Sequence, residues 1–171
     1  MPKSTSADAI ALLKADHRKV EDLFEKFEKA RGAERKKTIA EQICLELSVH
    51  TKIEEDIFYP ACKGEVDDDI SHEAYVEHDG AKVLIAEIEK AGTSDEFYEA
   101  KVKVLSEMIK HHVKEEEQRG GLFSQARSAG LDLAELGAQL AEEKKRLVAE
   151  YKSSGLPKLS TPSFVGTQLA E

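Results

Sequence analysis

Six side chains in this 171-residue sequence are placed to act together: His17, His50, Glu54, His78, His112 and Glu116. His50 and Glu54 are four residues apart, which on a helix puts them on one face, about one turn or ~6 Å apart. The rest of that face is apolar: Ile39, Ile43, Leu47 and Ile57 follow the three- and four-residue steps of a buried seam. Val102, Leu105, Ile109, His112 and Glu116 repeat the arrangement. His17 interrupts a stripe of Ile10, Leu13, Val20, Phe24 and Phe27, and His78 interrupts Ala74, Tyr75, Ala81, Ile85 and Ile88. Polar groups inside such stripes must be paired or bound to a metal. Burying them unsatisfied costs on the order of 1–3 kcal/mol each, so one shared site is favoured over four separately satisfied core residues. Imidazole and carboxylate together suit iron, manganese or zinc.

The elements that must carry these residues are helices. A first helix is predicted from Asp8 to Ala30, with Gly32 as its stop. A second runs from Ala33 to Tyr59 and ends at Pro60, which disfavours helical geometry in the residue before it. Asp67-Asp68-Asp69 reads as a solvated connection that lends charge to the next helix start, and it lacks the spacing of an EF-hand loop. A third helix spans Ser71 to Ala91, and a fourth runs from Ser94, with Ser94 or Asp95 as cap, to Arg119 before Gly120-Gly121. Short connections between four long helices predict an all-α, antiparallel up-down-up-down four-helix bundle. A fifth amphipathic helix, Leu131 to Tyr151, carries no histidine and is expected to pack on the bundle or on a partner, including a second copy. Residues 1–152 then form the bundle with its fifth helix. Residues 153–171, rich in Ser, Pro, Gly and Thr, form an extended or disordered tail in which Phe164-Val165 could dock on a neighbouring surface.

Bulk properties exclude several classes. A net charge of −9 and a pI near 5.3, with no basic stripe, argue against nucleic-acid binding. Apolar runs fall short of the ~18 residues that span a bilayer, and no signal-peptide core follows Met1 to Ser6. Cys44 and Cys62 do not make a disulfide framework. A soluble protein of the reducing cytoplasm is expected. The fourth helix has a competing frame, Val104, Met108, His111 and Glu115. The longer apolar run behind His112 favours His112 and Glu116, leaving His111 on the flank.

The order His, His-x-x-x-Glu, His, His-x-x-x-Glu on successive helices resembles the bacterial hemerythrin-like proteins, the HHE cation-binding domains. Glu54-Glu55-Asp56-Ile57-Phe58-Tyr59-Pro60 and Glu77-His78 match that family's phrasing, and the resemblance covers roughly Ala7 to Arg127. It implies two non-haem iron ions, oxo- or hydroxo-bridged, inside the bundle. His17 and His50 would serve one iron, His78 and His112 the other, and Glu54 and Glu116 would bridge them. Two departures stand out. Oxygen-carrying hemerythrins have a further histidine at the position of Ala74, and Gln118-Arg119-Gly120-Gly121 lengthens the exit of the fourth helix before Leu122-Phe123. If each iron is six-coordinate, the missing histidine leaves two positions open rather than one, unless Tyr75 or a water fills the gap.

The leading expectation is therefore a non-haem di-iron protein that binds or reacts with O2, hydrogen peroxide or nitric oxide, as a carrier or with peroxidase-, catalase- or nitric-oxide-processing activity in oxidative stress. Two alternatives belong to other classes: an iron or redox sensor acting through a partner, and an iron-storage or structural metal bundle without turnover. Haem is a weaker option, since paired glutamates sit poorly beside a porphyrin. Ferritin-type sites use Glu-x-x-His, which is not the repeated spacing here.

Overall fold

The computed structural model describes residues 8–159. The expected extended tail falls mainly on residues 160–171, Phe164 and Val165 among them, and so lies outside the described residues. Helix α1 spans Ala9–Lys29, and Asp8 caps it by accepting the Ala11 N–H at 2.8 Å. Helix α2 spans Ala33–Ile53 and continues without a break into a π-turn, Glu54–Phe58, and a short α3, Tyr59–Cys62. Helix α4 spans Asp68–Ala91, with the Asp67 side chain accepting the Asp69 N–H at 2.9 Å. Helix α5 spans Tyr98–Glu117, α6 spans Leu122–Ser128, and α7 spans Leu133–Ser154. Of the expected acidic run, Asp67 is thus the cap, while Asp68 and Asp69 supply first-turn charge.

Helices α1, α2, α4 and α5 form the antiparallel bundle, each packed against the next around the ring, and α7 lies against the outside of α1 and α2. Their polar residues form a layer between two apolar clusters. Val20, Phe24, Leu47, Ile85, Leu105 and Ile109 belong to the cluster on one side. Leu13, Ile53, Phe58, Leu122, Leu140 and Leu147 belong to the other, which α6 and α7 help to close. His17 therefore lies between Leu13 and Val20 along α1, and His50 between Leu47 and Ile53 along α2.

Helix α4 starts at Asp68, three residues before the expected Ser71, and α7 spans Leu133–Ser154 against an expected Leu131 to Tyr151; three further differences have a clear local reason. Pro60 does not end the second helix, which reaches Cys62. In a regular α-helix its ring would clash with the carbonyl four residues back. Here the turn is wider, with the Tyr59 N–H bonded to the Glu54 carbonyl five residues back, and Pro60 falls in the first turn of α3, where its missing donor costs little. Helix α5 starts at Tyr98 instead of Ser94, because Asp95 spends its carboxylate on the Phe97 N–H (3.0 Å) and the Lys101 ammonium (2.7 Å) in the preceding turn. After α5 the chain folds back sharply at Gly121. A Cβ there would lie 2.3 Å from the Glu115 carbonyl oxygen, so only glycine fits. That turn delivers α6, with Leu122, Phe123 and Ala126 buried.

Candidate metal centre

All six singled-out residues are buried and meet in the layer between the two apolar clusters. They form two groups of donor atoms, each within 4.8 Å: His17, His50, Glu54 and Glu116, and Glu54, His78 and His112. The Nε2 atoms of His17 and His50 are 3.1 Å apart, as are those of His78 and His112. Glu54 Oε2 lies 3.2 Å from His50 Nε2 and 3.3 Å from His78 Nε2. Glu116 Oε2 lies 3.3 Å from His17 Nε2 and 3.5 Å from His112 Nε2. Each carboxylate thus stands between one imidazole of either pair. His111, by contrast, is 65 % exposed and meets only Glu77, at 3.3 Å.

The outward face of each ring has its own carboxylate. His17 Nδ1 lies 2.7 Å from Glu117, His78 Nδ1 3.1 Å from Glu55, and His112 Nδ1 2.7 Å from Glu77. Asp16 Oδ2 stands 3.5 Å from His50 Nδ1. Every one of these carboxylates is a chain neighbour of an inward residue, yet each serves the histidine of the following helix: α1 supports α2, the π-turn supports α4, α4 supports α5, and α5 supports α1. Sequence reasoning missed this ring. Its only sequence trace is an acidic residue beside four of the six inward ones, His17, Glu54, His78 and Glu116, which on a single helix looks like surface charge.

The ring fixes the protonation pattern. In a metal-loaded site a carboxylate on Nδ1 would hold the proton there on His17, His78 and His112, turning Nε2 inward as a donor atom. At 3.1 Å each facing Nε2 pair needs a cation between its two rings, a proton in the metal-free protein or a metal ion in the loaded one. Ligands at right angles around an ion at ~2.1 Å are separated by about 3.0 Å, close to the spacing seen. Glu54 Oε1 and Glu116 Oε2 are buried and have no hydrogen-bond partner, which is costly without a cation. Six carboxylates (Asp16, Glu54, Glu55, Glu77, Glu116, Glu117) face three permanent cations, Arg18, Lys82 and Lys144. With neutral imidazoles the site is short of positive charge, and the donor set fits metal ions.

The titration behaviour reports the same deficit. Burial alone would discharge His50, but Glu54 and Asp16 outweigh it and push its pKa up to about 10. Burial likewise opposes charge on His78, and Glu54 with Glu55 raises it to about 9. Burial would raise Glu54, yet His50 and His78 hold it well below the usual carboxylate range.

The phenol that reaches the cluster is Tyr59, not Tyr75. Its hydroxyl donates to Glu116 Oε1 at 2.8 Å and lies 3.2 Å from both Glu54 Oε2 and His78 Nε2. Burial and the two glutamates keep that hydroxyl protonated well above the ordinary tyrosine range. Tyr75, half-buried, packs its ring edge-on against Tyr59 at 5.2 Å. The π-turn is why Tyr59 was missed: five α-helical residues rotate a side chain well off the Glu54 face, whereas the wider turn brings Tyr59 back towards it. Phe123 of α6 stacks on His17 at 5.7 Å. Beside the four imidazoles a cavity of about 10 Å3, walled by Val20, Leu47, Ile109 and Val113, has space for one water-sized molecule.

Comparison with known proteins agrees with this geometry. Residues 8–119 match the hemerythrin HHE cation-binding domain, and the chain belongs to that family. Its fold resembles the crystal structure of a hemerythrin HHE cation-binding domain-containing protein from Mycobacterium kansasii, with a TM-score of 0.74 at 21 % identity over 87 % of this chain and 94 % of that one. A protein from a Nostoc species described as a DNA nickase is 26 % identical over 106 residues, covering 62 % of this chain but only 30 % of that protein. The chain is thus a metal-binding hemerythrin-like domain with a buried His/Glu cluster, and among the described residues no helix is long and apolar enough to cross a membrane.

The two frames of α5 make a direct test. His112→Ala is expected to weaken metal binding by ~100-fold or more, since it removes an inward donor. His111→Ala acts only through Glu77, where effects of about 10-fold are the usual scale. Metal titration of the two variants checks the order, and a reversal would overturn the assignment of Glu116 over Glu115.

Proposed function

We propose that this domain holds two iron ions and uses them to bind or react with a small oxidant: O2, hydrogen peroxide or nitric oxide. His17 and His50 would hold one iron, His78 and His112 the other, with Glu54 and Glu116 shared between them. The observation that carries this reading is Glu54, common to two donor groups whose imidazoles face each other in pairs. Iron supplies the electron-transfer chemistry. The chain supplies the rest. Glu55, Glu77 and Glu117 orient the imidazoles, and Phe58 and Phe123 help to exclude water. Tyr59 donates its hydroxyl proton to Glu116 at 2.8 Å and so holds that carboxylate in place. The cavity beside the imidazoles is of the size of one water molecule, too small for bulk iron cargo, which favours chemistry on a small ligand over storage.

The net charge of −9 argues against DNA as a substrate. Free, buried Cys44 and Cys62 suit a reducing cytoplasm. The deciding experiment is metal analysis with an absorption spectrum after aerobic iron loading. Two irons per chain are expected, with near-ultraviolet charge-transfer bands that shift on adding azide. One iron per chain, or a Soret band, would overturn the reading. Tyr59→Phe should leave the iron content intact. If it removes a visible phenolate-to-iron band, Tyr59 is a ligand and not a proton donor.

A further inference from the structure

Of the four carboxylates that back the histidines, Asp16 is the one set apart. Glu117, Glu55 and Glu77 close on their rings at 2.7, 3.1 and 2.7 Å, whereas Asp16 Oδ2 stops 3.5 Å from His50 Nδ1. Both of those atoms are buried without a hydrogen-bond partner. The other oxygen of Asp16 is taken by the ammonium of Lys144. Lys144 belongs to α7, which packs on α1 and α2, the helices that bear His17 and His50. It also lies beyond residues 8–119, the part of the chain that matches the family.

We propose that Lys144 is a positioning residue of the metal centre: by holding Asp16 through Oδ1 it sets how closely Oδ2 supports His50, and so ties the fifth helix to one half of the site. This rests on the two-metal reading above. A carboxylate closed on Nδ1–H makes an imidazole a stronger donor and favours the more oxidised metal. Lys144 offsets the charge of Asp16 and holds it off, so His50 is a weaker donor than its three counterparts. The two halves are then unequal, and α7 is the element that makes them so.

The test uses the full-length iron-loaded chain. Lys144→Met and Lys144→Gln are expected to lower the midpoint potential and move the charge-transfer band, while Lys144→Arg keeps both near wild type. Arg146→Met removes the same charge from α7, but among the described residues Arg146 pairs with Glu143 and Glu150 and not with Asp16, so it should change neither. In an Asp16→Asn background, Lys144→Met should cause no further shift, which separates this role from simple support of the helix. In zinc-loaded protein the 15N signal of His50 Nδ1 should move with Lys144→Met, and those of His78 and His112 should stay. An unchanged or raised potential, an equal shift from Arg146→Met, or a persisting shift in the Asp16→Asn background overturns the proposal. Wild-type protein that takes up no second metal defeats the two-metal reading itself, a separate result read before any variant is made.

Discussion

Glu54→Ala is expected to empty both metal positions, leaving well under one iron per chain and no charge-transfer bands. Glu54 belongs to both donor groups, so its removal takes a donor from each half at once and leaves Glu116, between His17 and His112, as the one remaining carboxylate. Its Oε2 is also one of the atoms around the Tyr59 hydroxyl, and losing it leaves that phenol leaning on Glu116 and His78. Glu54→Gln keeps the volume and one oxygen while removing the charge, and is expected to retain part of the metal. His50→Ala removes a ligand from one half only, so its loss should be smaller than that of Glu54→Ala. Iron content measured alongside the spectrum checks the ranking. A Glu54→Ala protein that keeps two irons would show that the shared carboxylate is Glu116 alone.

Removing the metal is expected to lower the melting temperature by roughly 10 °C at neutral pH. A ligand present at a thousandfold over its dissociation constant adds about 4 kcal/mol, and in a domain of this size each kcal/mol is worth ~2–4 °C. The pH dependence sharpens the test. In the metal-free protein His50 and His78 are raised to about 10 and about 9, against ~6.5 in an unfolded chain. Their protonation stabilises the fold fully below pH ~6.5, and that contribution is lost as pH rises through 9 and 10. Glu54 is held low, so its contribution is present above pH ~4.5 and is lost on acidification. Metal-free protein should therefore be most stable between about pH 4.5 and 6.5 and weaken on the alkaline side. Metal ions replace those protons with a fixed charge, so the loaded protein should not weaken there. Calorimetry with and without chelator at several pH values gives the comparison. A gap between the two forms that stays flat from pH 6.5 to 9 would contradict this account.

The bundle and its inward residues were legible because both rest on helical periodicity. Apolar residues at three- and four-residue steps defined the helices, and His50-x-x-x-Glu54 and His112-x-x-x-Glu116 used the same steps to face inward. Two things escaped. Pro60 was read as a stop because that rule assumes α geometry, and the π-turn that accommodates it has no periodic signature. Tyr59 was hidden for the same reason, which left Tyr75 as the apparent phenol. Asp16, Glu55, Glu77 and Glu117 were hidden for a different reason. Each acts on a neighbouring helix, and one helix's periodicity does not say which side chain waits across the interface. Helix α6 was too short to declare itself, and only the close approach at Gly121 explains where it goes.

The ring of supporting carboxylates has a consequence for how damage to this protein would be inherited. A substitution at one of these four carboxylates would act first on a histidine of another helix. Changing Asp16 reaches His50, changing Glu55 reaches His78, changing Glu77 reaches His112, and changing Glu117 reaches His17. The lesion and its effect sit one helix apart, always in the same rotational sense. Suppressor mutations would accordingly be found around the next helix in that circuit, and no helix could be exchanged with a relative's unless its successor came with it.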